Sequence, residues 1–165
     1  MIGNDVVDLI LAKKESNWKR RGFLDKIFTA DEQQLIASAT DSEIMVWTLW
    51  TMKEAAYKIY NRESGIRAFI PLKIQCAVDI YTSRHQGIVT IDDKQYITRS
   101  GISKDFIHTI AVVDPKHLKK VQVFEGIKTG RDNNGLPYLK DGNSIINYAV
   151  SKSHHGRYNF TISLC

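Results

Sequence analysis

The sequence predicts an α+β fold: a single lobe in which an antiparallel sheet packs against one long helix. Three observations lead there. Apolar residues recur at spacings of three and four through residues 42–60, the mark of a buried helical stripe. Residues 66–125 read as a series of extended segments too closely spaced for crossover helices, which excludes a regular parallel sheet. The length of 165 residues, with 43% hydrophobic and 25% charged residues, fits one compact domain over 1–165 with a real core.

The elements follow in order. Residues 2–11, IGNDVVDLIL, form a strand running into a turn or short helix, since Val6, Val7, Leu9 and Ile10 favour it. Asp5 and Asp8 are anomalous there, two carboxylates inside an apolar opening. Residues 12–28 are basic loop plus helix, with Lys13, Lys14, Lys19, Arg20 and Arg21. Thr29 and Glu32 have capping-box spacing and predict a short helix carrying Leu35 and Ile36. The long helix follows over 42–60, with Met45, Leu49, Met52, Ala56 and Ile59 as its stripe; Gly65 turns the chain away. Strands are expected at 73–81, 87–91, 94–99, 106–113 and 119–124, the last set apart by Pro115. GIKTGRDNNG, 126–135, is a loop, and Pro137, Asp141 and Gly142 signal further turning. Strands at 148–152 and in the terminal RYNFTISL close the chain.

Composition narrows function. Lysines and arginines number 23 against 18 acidic residues, a net charge of +5 that suits a polyanionic ligand without naming one. Two cysteines, Cys76 and Cys165, exclude a disulfide scaffold and a four-thiolate metal site. No run reaches membrane-spanning length and no secretory segment opens the chain, so the expected compartment is the cytoplasm, with no membrane partner.

Three clusters carry chemistry. In Trp50-Thr51-Met52-Lys53-Glu54-Ala55-Ala56-Tyr57-Lys58, periodicity alone gives an amphipathic helix with a Glu54–Lys58 surface pair. The functional alternative makes Glu54 a magnesium ligand and Lys58 a phosphate contact. In Gly3-Asn4-Asp5, Asp5 is either a turn or edge charge or a buried carboxylate that needs a partner or a metal. If Asp5 and Glu54 converge, they offer the hard oxygens that Mg²⁺ takes alongside phosphates and waters. In Ser151-Lys152-Ser153-His154-His155-Gly156, a polar turn competes with phosphate binding by Ser153 and His154. Adjacent histidines point to opposite faces of a strand and cannot share one metal.

Together GNDVVDL, FTADE, WTMKEAAYK, GLP and SKSHHGRY resemble the 4'-phosphopantetheinyl transferase superfamily, in an order like that of its short holo-[acyl-carrier-protein] synthase branch. The resemblance implies transfer of 4'-phosphopantetheine from coenzyme A to a serine of an apo acyl or peptidyl carrier protein, releasing adenosine 3',5'-bisphosphate. It implies that Asp5 and Glu54 hold Mg²⁺, that Lys58 contacts the coenzyme A phosphates, and that Ser153 and His154 help bind coenzyme A. Glu54 and Lys58 are then the catalytic pair, with the general base open between Glu54 and His154. Thr29 and Glu32 match a TxxE segment, read as structural capping with a pocket contribution left open. The lysines and arginines at 13–21 are available to the coenzyme's 3'-phosphate. The short branch also implies a homotrimer, with the coenzyme site near a subunit boundary, and a carrier of fatty acid and lipid biosynthesis.

Two features depart from that branch. The segment 66–125 is longer than it needs, and WTMKEA is closer to the larger, two-lobed class. Val7 stands where larger members carry another acidic residue, so a third metal ligand would be water or substrate. Two other readings compete: an inactive carrier-binding module, and a small basic nucleic-acid binder using Tyr81, Tyr96, Phe106, Tyr138 and Tyr158. Intact Asp5, Glu54 and Lys58 argue against the first. The small charge and the lack of an RNA-binding signature argue against the second, so no nucleic-acid partner is expected.

Overall fold

The computed structural model describes residues 1–79, 85–141, 144–147 and 149–164. The chain opens with β1 (Ile2–Asp8), followed by α1 (Leu9–Glu15), α2 (Phe23–Ile27), α3 (Ala30–Ser38) and the long α4 (Ser42–Ser64). Then come β2 (Ile74–Val78), β3 (Gln86–Ile91), β4 (Lys94–Ile102), β5 (Phe106–Val112) and β6 (Val121–Glu125). The short strands β7 (Gly130–Arg131), β8 (Pro137–Asp141) and β9 (Ser144–Asn147) precede β10 (Val150–His155) and β11 (Tyr158–Leu164). The α+β architecture with one long helix on an antiparallel sheet is therefore present, and further strands flank it.

Helix α4 starts at Asp41, whose side chain accepts from the Ile44 amide, and ends at Gly65 in the left-handed conformation. Leu49, Met52, Ala56 and Ile59 of the expected stripe are buried, while Met45 sits at its margin. They face a five-stranded sheet in the order β1-β5-β4-β3-β2, antiparallel at every pairing. Helix and sheet approach closely at Gly3, where an added Cβ would lie 2.1 Å from the Ala55 carbonyl oxygen. A glycine on the strand opposite small residues on the helix brings β1 against α4, and with it brings Asp5 near the residues that follow Lys53.

Strand β5 is buried on both faces. Ile107 and Ala111 enter the helix-side core, while Ile110 and Val112 join Ile2, Leu118 and Ile162 in a second core. That second core belongs to a three-stranded sheet, β10-β11-β6. The strands at 137–141 and 144–147 correct the expectation of further turning at Pro137 and Asp141. Pro137 is tolerated because it is the first residue of β8, where a missing N–H costs least. Gly130–Arg131 likewise forms a short strand inside the expected loop, pairing with Pro137 and Tyr138. Gly142, Tyr81, Cys165 and the expected strand ends at 80–81 and 148 lie outside the described residues. No helix among the described residues is long and apolar enough to cross a membrane.

Strand β10 runs beside β1 without a backbone ladder. The Asn4 amide donates to Ser151 Oγ at 3.1 Å and the Asp8 amide to His155 Nδ1 at 2.9 Å. Both pairs advance by four residues together, so the two strands are parallel. Arg62 on α4 bridges their start by donating to the Ile2 and Val150 carbonyls. Side chains thus satisfy the Asn4 and Asp8 amides and the Ile2 carbonyl on the edge of β1 that no strand pairs, as buried backbone polar groups require.

Candidate active site

The β1–α4 contact and the β1–β10 seam converge on a cleft of about 300 Å³ lined by Asp5, Glu54, Trp47, Trp50, Ser16 and His155. Asp5 comes from the middle of β1 and Glu54 from the third turn beyond the start of the buried run in α4. The structure therefore brings together two residues that the sequence could not place relative to one another.

The carboxylates are short of positive charge. Lys58 donates to Asp5 Oδ1 at 3.0 Å and to the Asn4 carbonyl at 2.7 Å. An ammonium has three N–H groups, so one remains for another acceptor. Burial raises the Asp5 carboxyl above its usual range, against the opposing pull of Lys58. Glu54 is pushed up to about 7, first by burial and then by the negative charge of Asp5, with Lys58 opposing. A carboxyl whose ionisation is made costly by burial and by a neighbouring carboxylate is receptive to a cation. Among the described residues no group of three His, Cys, Asp or Glu side chains forms a metal cluster.

Asp8, the second anomalous carboxylate, has a different job. It caps α1 by accepting from the Ile10 and Leu11 amides. It also takes a two-pronged contact from Arg157, Nε to Oδ2 at 2.8 Å and Nη2 to Oδ1 at 2.9 Å. Those bonds hold its carboxyl well below the usual range. Gly156 makes the approach feasible: its φ is +54° and an added Cβ would lie 2.6 Å from Asp8 Oδ2. Asp8 thereby pins the β10–β11 turn to the end of β1.

The SKSHH segment divides by strand alternation. Ser151 and Ser153 are buried, and Ser153 Oγ accepts from Asn4 Nδ2 at 2.8 Å. Ser153 thus faces β1 rather than open cleft. His154 is exposed on the opposite face, and His155 is the histidine that lines the cleft. His108 lies behind Asn4, stacked on Phe160 at 4.5 Å and with its Nε2 3.0 Å from Asn4 Nδ2. Burial, aided by Lys58, lowers its pKa to about 4 and keeps it neutral.

Other residues act as support. Thr29 and Glu32 form the capping box, and Glu32 reaches further. Its carboxylate pairs with Lys53 at 2.7 Å, both side chains almost fully buried, and accepts from the Cys76 amide at 2.8 Å. Lys53 also donates to the Pro71 and Ile74 carbonyls. The lysine next to Glu54 thus ties α3, α4 and β2 together and faces away from the cleft. Sequence spacing carried the capping box but no sign of the ion pair. Lys13, Lys14, Lys19, Arg20 and Arg21 are all exposed, and Lys13 and Lys14 line a groove with Ile10, Ile44 and Lys104. Tyr96 is 1% exposed, and the half-buried Phe106 and Tyr158 pack on one another and on the buried Phe160.

A family model described as the 4'-phosphopantetheinyl transferase superfamily matches residues 1–111. The fold is similar to the crystal structure of Helicobacter pylori holo-[acyl-carrier-protein] synthase in complex with coenzyme A, with a TM-score of 0.52 and 19% sequence identity. That likeness covers 69% of this chain and 100% of the other. No curated protein matches the chain.

Proposed function

The chain belongs to the 4'-phosphopantetheinyl transferase superfamily, and from that premise we propose that it moves 4'-phosphopantetheine from coenzyme A to a serine of an apo acyl or peptidyl carrier protein. The reaction is magnesium-dependent and releases adenosine 3',5'-bisphosphate. The observation that carries this reading is the meeting of Asp5 and Glu54 in one cleft with Lys58 bonded to Asp5.

The serine oxygen attacks the β-phosphorus of the coenzyme's pyrophosphate; a P–O bond to the carrier forms and the bond to the departing nucleotide phosphate breaks. Asp5 and Glu54 hold Mg²⁺, which when bound neutralises pyrophosphate charge and orients it for displacement. Lys58 uses its remaining N–H on charge that develops on the transferred or departing phosphate. The serine proton goes to Glu54, directly or through a metal-bound water, or to His154; a carboxylate that carries Mg²⁺ is the weaker base of the two. His154, on the exposed face of β10, reaches the coenzyme from outside the cleft, while Ser153 fixes β1 through Asn4. The exposed lysines and arginines at 13–21 serve the 3'-phosphate, and the Lys13, Lys14 and Lys104 groove suits the acidic surface of a carrier.

Residues 1–165 act as one transferase domain because β10, beyond the matched segment, is stitched to β1. Since that seam forms within one chain, the homotrimer implied by the short branch would assemble around clefts already bounded by β1, α4 and β10. A holo-[acyl-carrier-protein] synthase type, a fatty-acid carrier and a cytoplasmic setting complete the reading. The test is release of adenosine 3',5'-bisphosphate from coenzyme A and an apo carrier, followed with and without chelator. Release that needs both carrier and Mg²⁺ supports the proposal; release unaffected by chelator removes the two-carboxylate metal site.

A further inference from the structure

We propose that His155, and not only its neighbour His154, contacts the substrate, donating a hydrogen bond from Nε2 to a phosphate oxygen of the coenzyme's pyrophosphate. The inference rests on the transferase reading and deepens it. Strand alternation places Ser151, Ser153 and His155 on one face of β10. The first two are consumed by Asn4: Ser151 Oγ accepts from its amide and Ser153 Oγ from its side chain. His155 is the third on that face, where the seam between β1 and β10 opens into the cleft.

Its ring is set by one bond. Nδ1 lies 2.9 Å from the Asp8 amide nitrogen, which can only donate, so Nδ1 is the acceptor. In the neutral imidazole the proton therefore sits on Nε2. Asp8 is itself immobilised by Arg157 and by the α1 amides, so the histidine is aimed from a rigid base. Nε2 has no hydrogen-bond partner among the described residues. It stands in a cleft whose other polar wall is the Asp5 and Glu54 carboxylates, where an anion held through a cation needs donors on its far side. The matched motif pointed to His154, because sequence similarity does not show which of two adjacent histidines faces inward.

Two substitutions separate contact from scaffolding. In His155→Asn, Oδ1 takes the place of Nδ1 and still accepts from the Asp8 amide, but the Nε2 donor is gone. In His155→Gln, the amide nitrogen reaches the Nε2 position and restores a donor. Coenzyme A binding in Mg²⁺ is read by titration calorimetry, at a temperature where each variant is folded. The proposal expects affinity to fall about 10- to 100-fold in the Asn variant, the range for one hydrogen bond to a charged group. It expects the Gln variant to stay within roughly threefold of wild type. Wild-type affinity in the Asn variant, or loss in Gln with retention in Asn, overturns it by showing that the ring acts only through Asp8. If the Asn variant does not fold, the Gln result decides alone: retained binding supports the contact, lost binding overturns it. Failure of the wild-type protein to bind coenzyme A would instead overturn the transferase reading.

Discussion

Replacing Glu54 with glutamine should remove transfer and yet stabilise the metal-free protein. The folded state holds this carboxyl at about 7, against 4.5 for an ordinary glutamate. Between those values the folded protein binds more protons than the unfolded chain, so stability falls as pH rises through that window and levels off above it. At about 1.4 kcal/mol per pKa unit, the ionised group costs the folded state at most about 3.5 kcal/mol. Glu54 is partly open to water, and screening brings the expected value to roughly 1–2 kcal/mol. Glutamine keeps the shape and carries no charge. In chelator at pH 8 the variant should melt roughly 2–8 °C above wild type, given about 2–4 °C per kcal/mol for a chain of this size. Near pH 4.5 the two should coincide. Adding Mg²⁺ at pH 8 should raise the wild-type midpoint and leave the variant nearly unmoved. Thermal melts followed by circular dichroism at both pH values read all of this. A variant that melts at or below wild type at pH 8 without metal would refute the charge crowding. An equal Mg²⁺ shift in both would refute Glu54 as a ligand.

Asp5→Asn should likewise nearly abolish carrier modification while the protein stays folded, checked by a turnover assay beside a melt; unchanged Mg²⁺ dependence would sink the paired-carboxylate site. Lys53→Met should cost about 3–5 kcal/mol, because it strands the Glu32 charge in the core; urea denaturation measures this, and a change below 1 kcal/mol would contradict it. Gly156→Ala forces a side chain into Asp8 from a left-handed backbone, at about 2–4 kcal/mol. Its signature beyond stability is loss of the Asp8–Arg157 pair, visible as a rise of the Asp8 pKa by nuclear magnetic resonance titration. Carrier association should weaken as salt rises, and Lys13→Glu with Lys14→Glu should flatten that dependence.

What the sequence revealed depended on the range of each signal. The α4 stripe and the Thr29–Glu32 capping box are local patterns, and both appear in the structure. Asp5, Glu54 and Lys58 were marked by motif, but their convergence depends on Gly3 sitting against Ala55, a tertiary contact without a periodic signature. Asp8 stood out as a misplaced charge; its partner Arg157 is 149 positions away, so only the folded chain shows why it is tolerated. The β1–β10 seam was invisible because serine and histidine side chains, rather than an alternating apolar pattern, join the strands. Strand β8 was hidden by Pro137 at its head and Asp141 at its end, both of which resemble turn residues. The motif marked His154, while which of the two histidines lines the cleft is set by which face of β10 meets β1.

The most direct measurement is the intact mass of apo acyl and peptidyl carrier proteins after incubation with this protein, coenzyme A and Mg²⁺. The account predicts a gain of one phosphopantetheine on the carrier serine, absent with chelator, with a serine-to-alanine carrier, and with Asp5→Asn or Glu54→Gln enzyme. No mass gain on any carrier, with coenzyme A bound, would mark a carrier- or coenzyme-binding relative without transferase activity and would contradict the account.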